Sequence, residues 1–192
     1  MDVYLVRHTT PEVIPGVCYG QSDVDLANSF ESEWTILKSK LEPLARPLVF
    51  SSPLQRCYKL AQKAVDHFNF PLPLIDARLL ELNFGDWELK PWQEIPQGIV
   101  GEWTDEHVMQ APPNGESYND LYIRAGAFLG ELVKQEDVEQ ALVFTHAGII
   151  RALVSEALKM PLREAYRVEV KYGSVTHLVI EDGVARLGFV NR

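Results

Sequence analysis

No apolar run in this 192-residue chain reaches the roughly 18–20 residues that a bilayer-spanning helix needs, so no membrane partner is expected. Cysteine is scarce. Cys18 and Cys57 are too few for a disulfide framework, and both are expected as reduced thiols in a cytosol. The first apolar run begins at Val3, which leaves no room for a secretory leader, and a cytoplasmic location follows as the expectation. Basic residues are in deficit, 18 Lys and Arg against 27 Asp and Glu, for a net charge of −9. A nucleic-acid partner, which wants a basic stripe, is therefore not expected. Any anion site must be made positive locally, against the field of the whole molecule. The chain also lacks a Gly-rich P-loop with its Lys, the Gly-x-Ser-x-Gly elbow of a serine hydrolase, and His or Cys pairs at metal-ligand spacing. Neither a metal nor another cofactor is expected. There is no repeat and no linker rich in Gly or Ser. With 46% hydrophobic and 23% charged residues, the composition is that of one globular domain, 1–192, long enough to bury a core. Oligomeric state is not legible.

What the chain does have is three apolar runs that end in polar residues able to meet an anion. Val3-Tyr4-Leu5-Val6 runs into Arg7-His8. Pro47-Leu48-Val49-Phe50 runs into Ser51-Ser52-Pro53-Leu54-Gln55-Arg56. Ala141-Leu142-Val143-Phe144-Thr145 runs into His146-Ala147-Gly148. Hydrophobic periodicity places strands at 3–8, 47–51, 72–75, 141–145, 166–171, 174–181 and 184–190, and helices at 30–44, 53–68, 117–134 and 148–158. Glu181-Asp182-Gly183 reads as a hairpin turn. The alternation predicts an α/β fold, a mostly parallel central sheet with an antiparallel edge strand and helices on both faces. The segment 79–115, with Pro91, Pro96, Pro112 and Pro113, is irregular and is expected to form a lid or insertion beside the active site. In a parallel α/β sheet, ligands bind beyond the carboxyl ends of the strands. Three such ends bring two Arg and two His to one spot, and phosphate suits that group best.

The second junction predicts a helix capped by Ser52, with Pro53 in the first turn and Gln55 completing a capping box. Arg56 then lies where the helix dipole is already positive. That placement makes sense if an anion shares the terminus, although an Arg turned outward to a surface carboxylate would fit this segment equally. His8, next to Arg7 at the sheet mouth, reads as a phosphate-facing imidazole able to attack phosphorus. Arg7, Arg56 and a protonated His146 would compensate the phosphoryl charge. Cleavage also needs an acid for the leaving oxygen. Among Glu81, Asp86 and Glu88, the leucine-flanked Glu81 is the one expected to be part-buried with a raised pKa, while Asp86 and Glu88 serve the loop. His67, His107 and His177 have structural readings.

Taken together, these segments resemble the histidine phosphatase superfamily, the phosphoglycerate-mutase-like fold. Val6-Arg7-His8 is similar to its Arg-His motif, Ser51-Ser52-Pro53-Leu54-Gln55-Arg56-Cys57 to its Ser-Ser-Pro-Leu-x-Arg-Ala motif, and Leu80-Glu81-Leu82-Asn83-Phe84-Gly85-Asp86-Trp87-Glu88 to its acid-bearing loop. Pro113-Asn114-Gly115-Glu116-Ser117 and Thr145-His146-Ala147-Gly148-Ile149-Ile150-Arg151 match two further segments in the same order. The resemblance implies that His8 becomes phosphohistidine, that Arg7, Arg56 and His146 hold the phosphoryl group, and that Glu81 protonates the leaving oxygen and then activates water, without a metal. Three departures stand out: Thr9 where the family usually has Gly, Ile14 where Asn is common, and Ala147-Gly148 for Gly-Gly.

The run Arg7-His8-Thr9-Thr10-Pro11 with Gly16-Val17-Cys18-Tyr19-Gly20-Gln21-Ser22-Asp23 resembles the α-ribazole phosphatase branch. That resemblance implies a bacterial, cytoplasmic enzyme that hydrolyses α-ribazole 5′-phosphate in cobalamin biosynthesis. The substrate would be a small phosphomonoester, with Thr9, Tyr19, Gly20, Ala147, Trp92 and Trp103 contacting it; the two tryptophans either stack on its base or simply pack the irregular segment onto the core. A broad-specificity phosphatase for sugar or nucleoside phosphates is the alternative with the same machinery. A phosphoglycerate mutase is disfavoured by the short chain. A non-catalytic phospholigand-binding module is disfavoured by Glu81, since binding alone needs no acid.

Overall fold

The computed structural model describes residues 1–96, 108–135 and 137–192. Its strands are β1 Asp2–Arg7, β2 Leu48–Ser51, β3 Leu74–Ile75, β4 Gln140–Thr145, β5 Val175–Glu181 and β6 Val184–Phe189. They form one sheet in the order β3-β2-β4-β1-β5-β6. β1 to β4 run parallel, whereas β5 is antiparallel to both of its neighbours. The mostly parallel sheet with antiparallel strands at one edge is therefore as expected. Asp182 and Gly183 take φ of +52° and +74° in the final hairpin, the conformation that Asp-Gly supplies at little strain.

Among the described residues, four helices cover the sheet: α1 Phe30–Leu41, α2 Gln55–Phe68, α3 Tyr118–Leu132 and α4 Ala147–Leu158. β4 shows why both faces need cover. Its residues alternate, so Ala141 and Val143 join the α3–α4 core while Leu142 and Phe144 join the α1–α2 core. All four are fully buried, the pattern of a parallel strand sandwiched between helix layers. The Ser117 and Asp120 side chains close a reciprocal capping box at the start of α3.

One expected strand is corrected. Residues 166–171 read as period-2 sequence, but Leu162–Arg167 forms 3-10 turns and the following residues join no strand. β1 is flanked by β4 and β5, and β5 by β1 and β6, so the stretch pairs with neither. The stretch instead crosses near the strand ends, where the Val170 carbonyl accepts from Arg7 and the Val168 carbonyl from Arg151.

Candidate active site

Because β2, β4 and β1 are parallel neighbours, their carboxyl ends lie side by side. The ladder continues past the strands. The His8 N–H donates to the Thr145 carbonyl at 3.1 Å and the Ser52 N–H to the Phe144 carbonyl at 2.9 Å. The three junctions are thus locked in register. His8, Arg56 and His146 are all 0% exposed, and the His8 and His146 rings lie 5.2 Å apart.

His8 Nδ1 is 2.7 Å from the Thr9 carbonyl oxygen. A carbonyl only accepts, so Nδ1 carries the proton and Nε2 keeps its lone pair. Nε2 is buried and has no hydrogen-bond partner among the described residues. Burial, then the Arg56 and Arg7 charges, hold this imidazole well below its ordinary pKa of 6.5. It is neutral at pH 7, the form that can attack phosphorus.

Two guanidiniums supply the positive charge. Arg56 donates from Nη1 to the Ser22 carbonyl at 2.8 Å and from Nη2 to the Gly20 carbonyl at 2.6 Å. Arg7 donates from Nη1 to the Val170 carbonyl at 2.5 Å. Neutral carbonyls orient both side chains and leave their charge uncompensated. The buried Nε of each has no partner among the described residues. The expected capping of α2 holds only in part. The Ser52 hydroxyl accepts from the Leu54 N–H at 3.4 Å, just ahead of the helix, which begins at Gln55, and the Gln55 N–H donates to Asp23 Oδ1 at 2.7 Å. The Ser52 hydroxyl lies 2.8 Å from His146 Nε2.

Burial and the Arg56 charge push the His146 pKa well below 6.5 in the free protein. The protonated ring was expected as a partner of a phosphoryl group, and an added anion would raise its pKa. The Cys57 thiol lies 3.5 Å from the same Nε2. Burial pushes the Cys57 pKa up, and burial with the Glu88 charge pushes Cys18 up to about 12, so neither is a reactive thiolate.

The half-buried Glu81 carboxylate sits at the N-terminus of α4. Its Oε1 accepts from the Gly148 N–H at 3.1 Å and the Leu82 N–H at 2.9 Å, a placement the helix dipole favours. A Cβ on Gly148 would lie 2.2 Å from Glu81 Oε1, so a larger residue there would displace that carboxylate. The preceding Ala147 is accommodated and lines the adjacent cavity. Asp86 and Glu88 have the loop roles expected of them. Asp86 accepts from Asn114, and Glu88 accepts from the backbone N–H groups of Gln21, Ser22 and Phe84 and from the Ser22 hydroxyl.

A cavity of about 170 Å³ adjoins this cluster. Of the expected contact residues, Tyr19, Gly20, Ala147 and Trp92 line it, together with Arg7 and Glu81. Thr9 does not. It is fully buried and meets His8 through its carbonyl. Trp103 lies outside the described residues, as does His107. Ile14 is 75% exposed. Sequence reasoning missed Phe84, Tyr118, Arg151 and Tyr166 in the cavity wall. It also missed Tyr172, whose ring centroid is 3.7 Å from the Arg7 guanidinium carbon. Among the described residues, no three His, Cys, Asp or Glu gather as a metal site, and no helix is long and apolar enough to cross a membrane.

A family model described as the histidine phosphatase superfamily (branch 1) matches residues 3–192. A putative phosphoserine phosphatase 2 of Hydrogenobacter thermophilus is 27% identical over 99% of this chain and 95% of that protein. An adenosylcobalamin/alpha-ribazole phosphatase of Escherichia coli is 25% identical over 100% of this chain and 96% of that protein. The crystal structure of an alpha-ribazole phosphatase from Shigella flexneri superposes with a TM-score of 0.90. It is 23% identical and matches 100% of this chain and 96% of that one.

Proposed function

This chain belongs to the histidine phosphatase superfamily, branch 1, and we propose that it is a phosphatase that uses His8 as nucleophile on small phosphomonoesters, with α-ribazole 5′-phosphate as substrate. The observation that carries the chemistry is His8 itself. Its Nδ1 proton is fixed by the Thr9 carbonyl, and its buried Nε2 lies among two guanidiniums with uncompensated charge.

In the proposed reaction, Nε2 attacks phosphorus and the ester P–O bond breaks. Arg7, Arg56 and His146 receive the equatorial oxygens. Glu81, in its protonated form, gives its proton to the leaving oxygen. Water then attacks the phosphohistidine, Glu81 takes up the water's proton, and inorganic phosphate leaves with His8 regenerated. The substrate assignment draws on the aromatic cavity wall, where Phe84, Trp92, Tyr118 and Tyr166 suit a flat heteroaromatic leaving group. It also draws on the similarity to the E. coli alpha-ribazole phosphatase. Glu81, Leu82, Phe84 and Trp92 of the 79–115 segment carry part of that wall and belong to the lid in this reading, while 97–107 lie outside the described residues.

The test is phosphate release from α-ribazole 5′-phosphate in EDTA, beside phosphoserine, sugar phosphates, nucleotides and phosphoglycerates, with His8→Ala as control. A strong preference for α-ribazole 5′-phosphate, lost in the variant, is the expected result. Indiscriminate turnover that still needs His8 would replace the substrate with a broad set of monoesters. Turnover that survives in His8→Ala would end the phosphohistidine reading.

A further inference from the structure

Tyr172 has no role in the reaction proposed above, yet it is fastened to the site. It lies in a tight turn closed by the Ser174 N–H donating to the Lys171 carbonyl at 3.2 Å. Gly173 in that turn has φ +61°, a conformation that glycine adopts freely. The Gly173 N–H donates to the His8 carbonyl at 3.2 Å, and the Arg7 N–H donates to the Ser174 carbonyl at 3.1 Å. This anchoring lays the Tyr172 ring on Arg7, with its centroid 5.5 Å from that of the His8 ring.

Tyr19 is placed in the same way on the other guanidinium. The Arg56 guanidinium carbon is 5.2 Å from the Tyr19 ring centroid, and Arg56 also holds the adjoining loop through the Gly20 and Ser22 carbonyls. The two phenol oxygens then meet at 3.0 Å. One hydrogen-bonded pair of tyrosines therefore spans the two arginines, one ring on each. Beneath this span, His8 Nε2 is buried and has no hydrogen-bond partner among the described residues. A buried lone pair cannot reach a phosphorus atom until a covering group moves. Tyr172 is 38% exposed and stands at the solvent side of the pair.

We propose that Tyr19 and Tyr172 form a clasp over the phosphoryl pocket, and that parting of their hydroxyls admits the phosphate group to His8. This rests on the reading of His8 as phosphoryl acceptor. In the closed form each ring contacts a cation. A dianionic phosphoryl group competes for the same guanidiniums through charge-assisted hydrogen bonds, so substrate favours the open form. Tyr19 lines the cavity and Tyr172 does not, so the leaving group lies on the Tyr19 side and Tyr172 acts as the gating residue.

The experiment measures how fast diethyl pyrocarbonate acylates His8, scored by peptide mass, with the exposed His67 as internal reference. Tyr172→Phe and Tyr19→Phe each remove the same hydrogen bond while keeping the rings. Each is expected to speed His8 modification about fivefold, the population change set by one net hydrogen bond. Combining them is expected to add nothing further, and Tyr172→Ala is expected to be faster still. Equal His8 rates in wild type and both phenylalanine variants, or additive effects in the combined variant, overturn the clasp. If Tyr172→Ala loses its fold, His146 and His177 become reactive together with His8, and the phenylalanine variants alone decide. The readout needs no turnover. Absence of a phosphohistidine in the wild type would therefore sink the phosphatase reading while leaving the clasp to be judged on its own rates.

Discussion

At the residue scale, Gly148 leaves room for the Glu81 carboxylate. A Cβ there meets the Glu81 carboxylate and approaches Leu121 Cδ1 at 3.1 Å. Gly148→Ala is expected to push the proposed acid off the α4 terminus and leave both guanidiniums in place. The expected outcome is a fall in kcat of about 10²-fold, the scale of a lost general acid, with inhibition by inorganic phosphate little changed. An equal loss of phosphate affinity would mean that the carboxylate does not act alone. Trp92 packs edge-on against Phe84, with centroids 5.4 Å apart, and lines the cavity. Trp92→Ala is expected to raise KM for α-ribazole 5′-phosphate about tenfold, on the scale of one aromatic contact, and to leave KM for a small aliphatic phosphate unchanged. Arg7, His8 and His146 were legible because they stand where apolar runs end, and Arg56 because it opens the helix that follows one. Tyr172 was not, because its contact with Arg7 spans most of the chain.

At the scale of elements, the loop at 19–22 is built by distant partners. Glu88 accepts from the Gln21, Ser22 and Phe84 N–H groups, and Arg56 holds the carbonyls of Gly20 and Ser22. Glu88→Ala leaves three backbone donors in a part-buried setting without their acceptor. The expected loss is roughly 2–4 kcal/mol of stability, read by urea denaturation, together with a raised KM. Helix α2 depends on the same loop, since Asp23 meets its first N–H at 2.7 Å. Asp23→Ala is expected to cost about 1 kcal/mol, whereas Gln55→Glu, which a local capping box would favour, should gain nothing. Only Ser52 and Gln55 were visible as a cap in the sequence. The fold freed Ser52 to face His146 because a neighbouring loop supplies the acceptor. The stretch at 166–171 failed as a strand for a similar reason, since the distant Arg7 and Arg151 side chains take its Val170 and Val168 carbonyls.

For the whole molecule, the two buried histidines set the acid limit. Both have pKa values well below the ordinary 6.5, through burial and the nearby Arg56. Well above pH 6.5 neither folded nor unfolded chain holds a proton at these rings, so they add no pH dependence there. Below it the unfolded chain takes up protons that the folded chain refuses, and stability falls as pH drops toward the folded pKa. The limiting slope is roughly 1.4 kcal/mol per pH unit for each histidine. Tm is expected to fall from pH 6.5 to 5.0 in the wild type and less steeply in His8→Gln. Identical slopes would show that the rings are protonated in the native state. Inorganic phosphate, by supplying an anion that favours the charged His146, is expected to flatten the same profile.

The sequence by itself determined the α/β architecture, the three strand ends and the cluster of His8, Arg7, Arg56 and His146. Strand periodicity and the residue that ends a strand are local facts, and parallel pairing brings those ends together. Glu81 was legible from its leucine flanks and its resemblance to an acid-bearing loop. Tertiary structure alone decided the neutral state of both histidines, the distant cap on α2, the aromatic cavity wall and the bridge from Tyr19 to Tyr172. Each depends on burial or on contacts between residues far apart in the chain. A pKa, an acceptor or a ring contact is fixed by what folding places beside a residue, and its sequence neighbours carry no record of that.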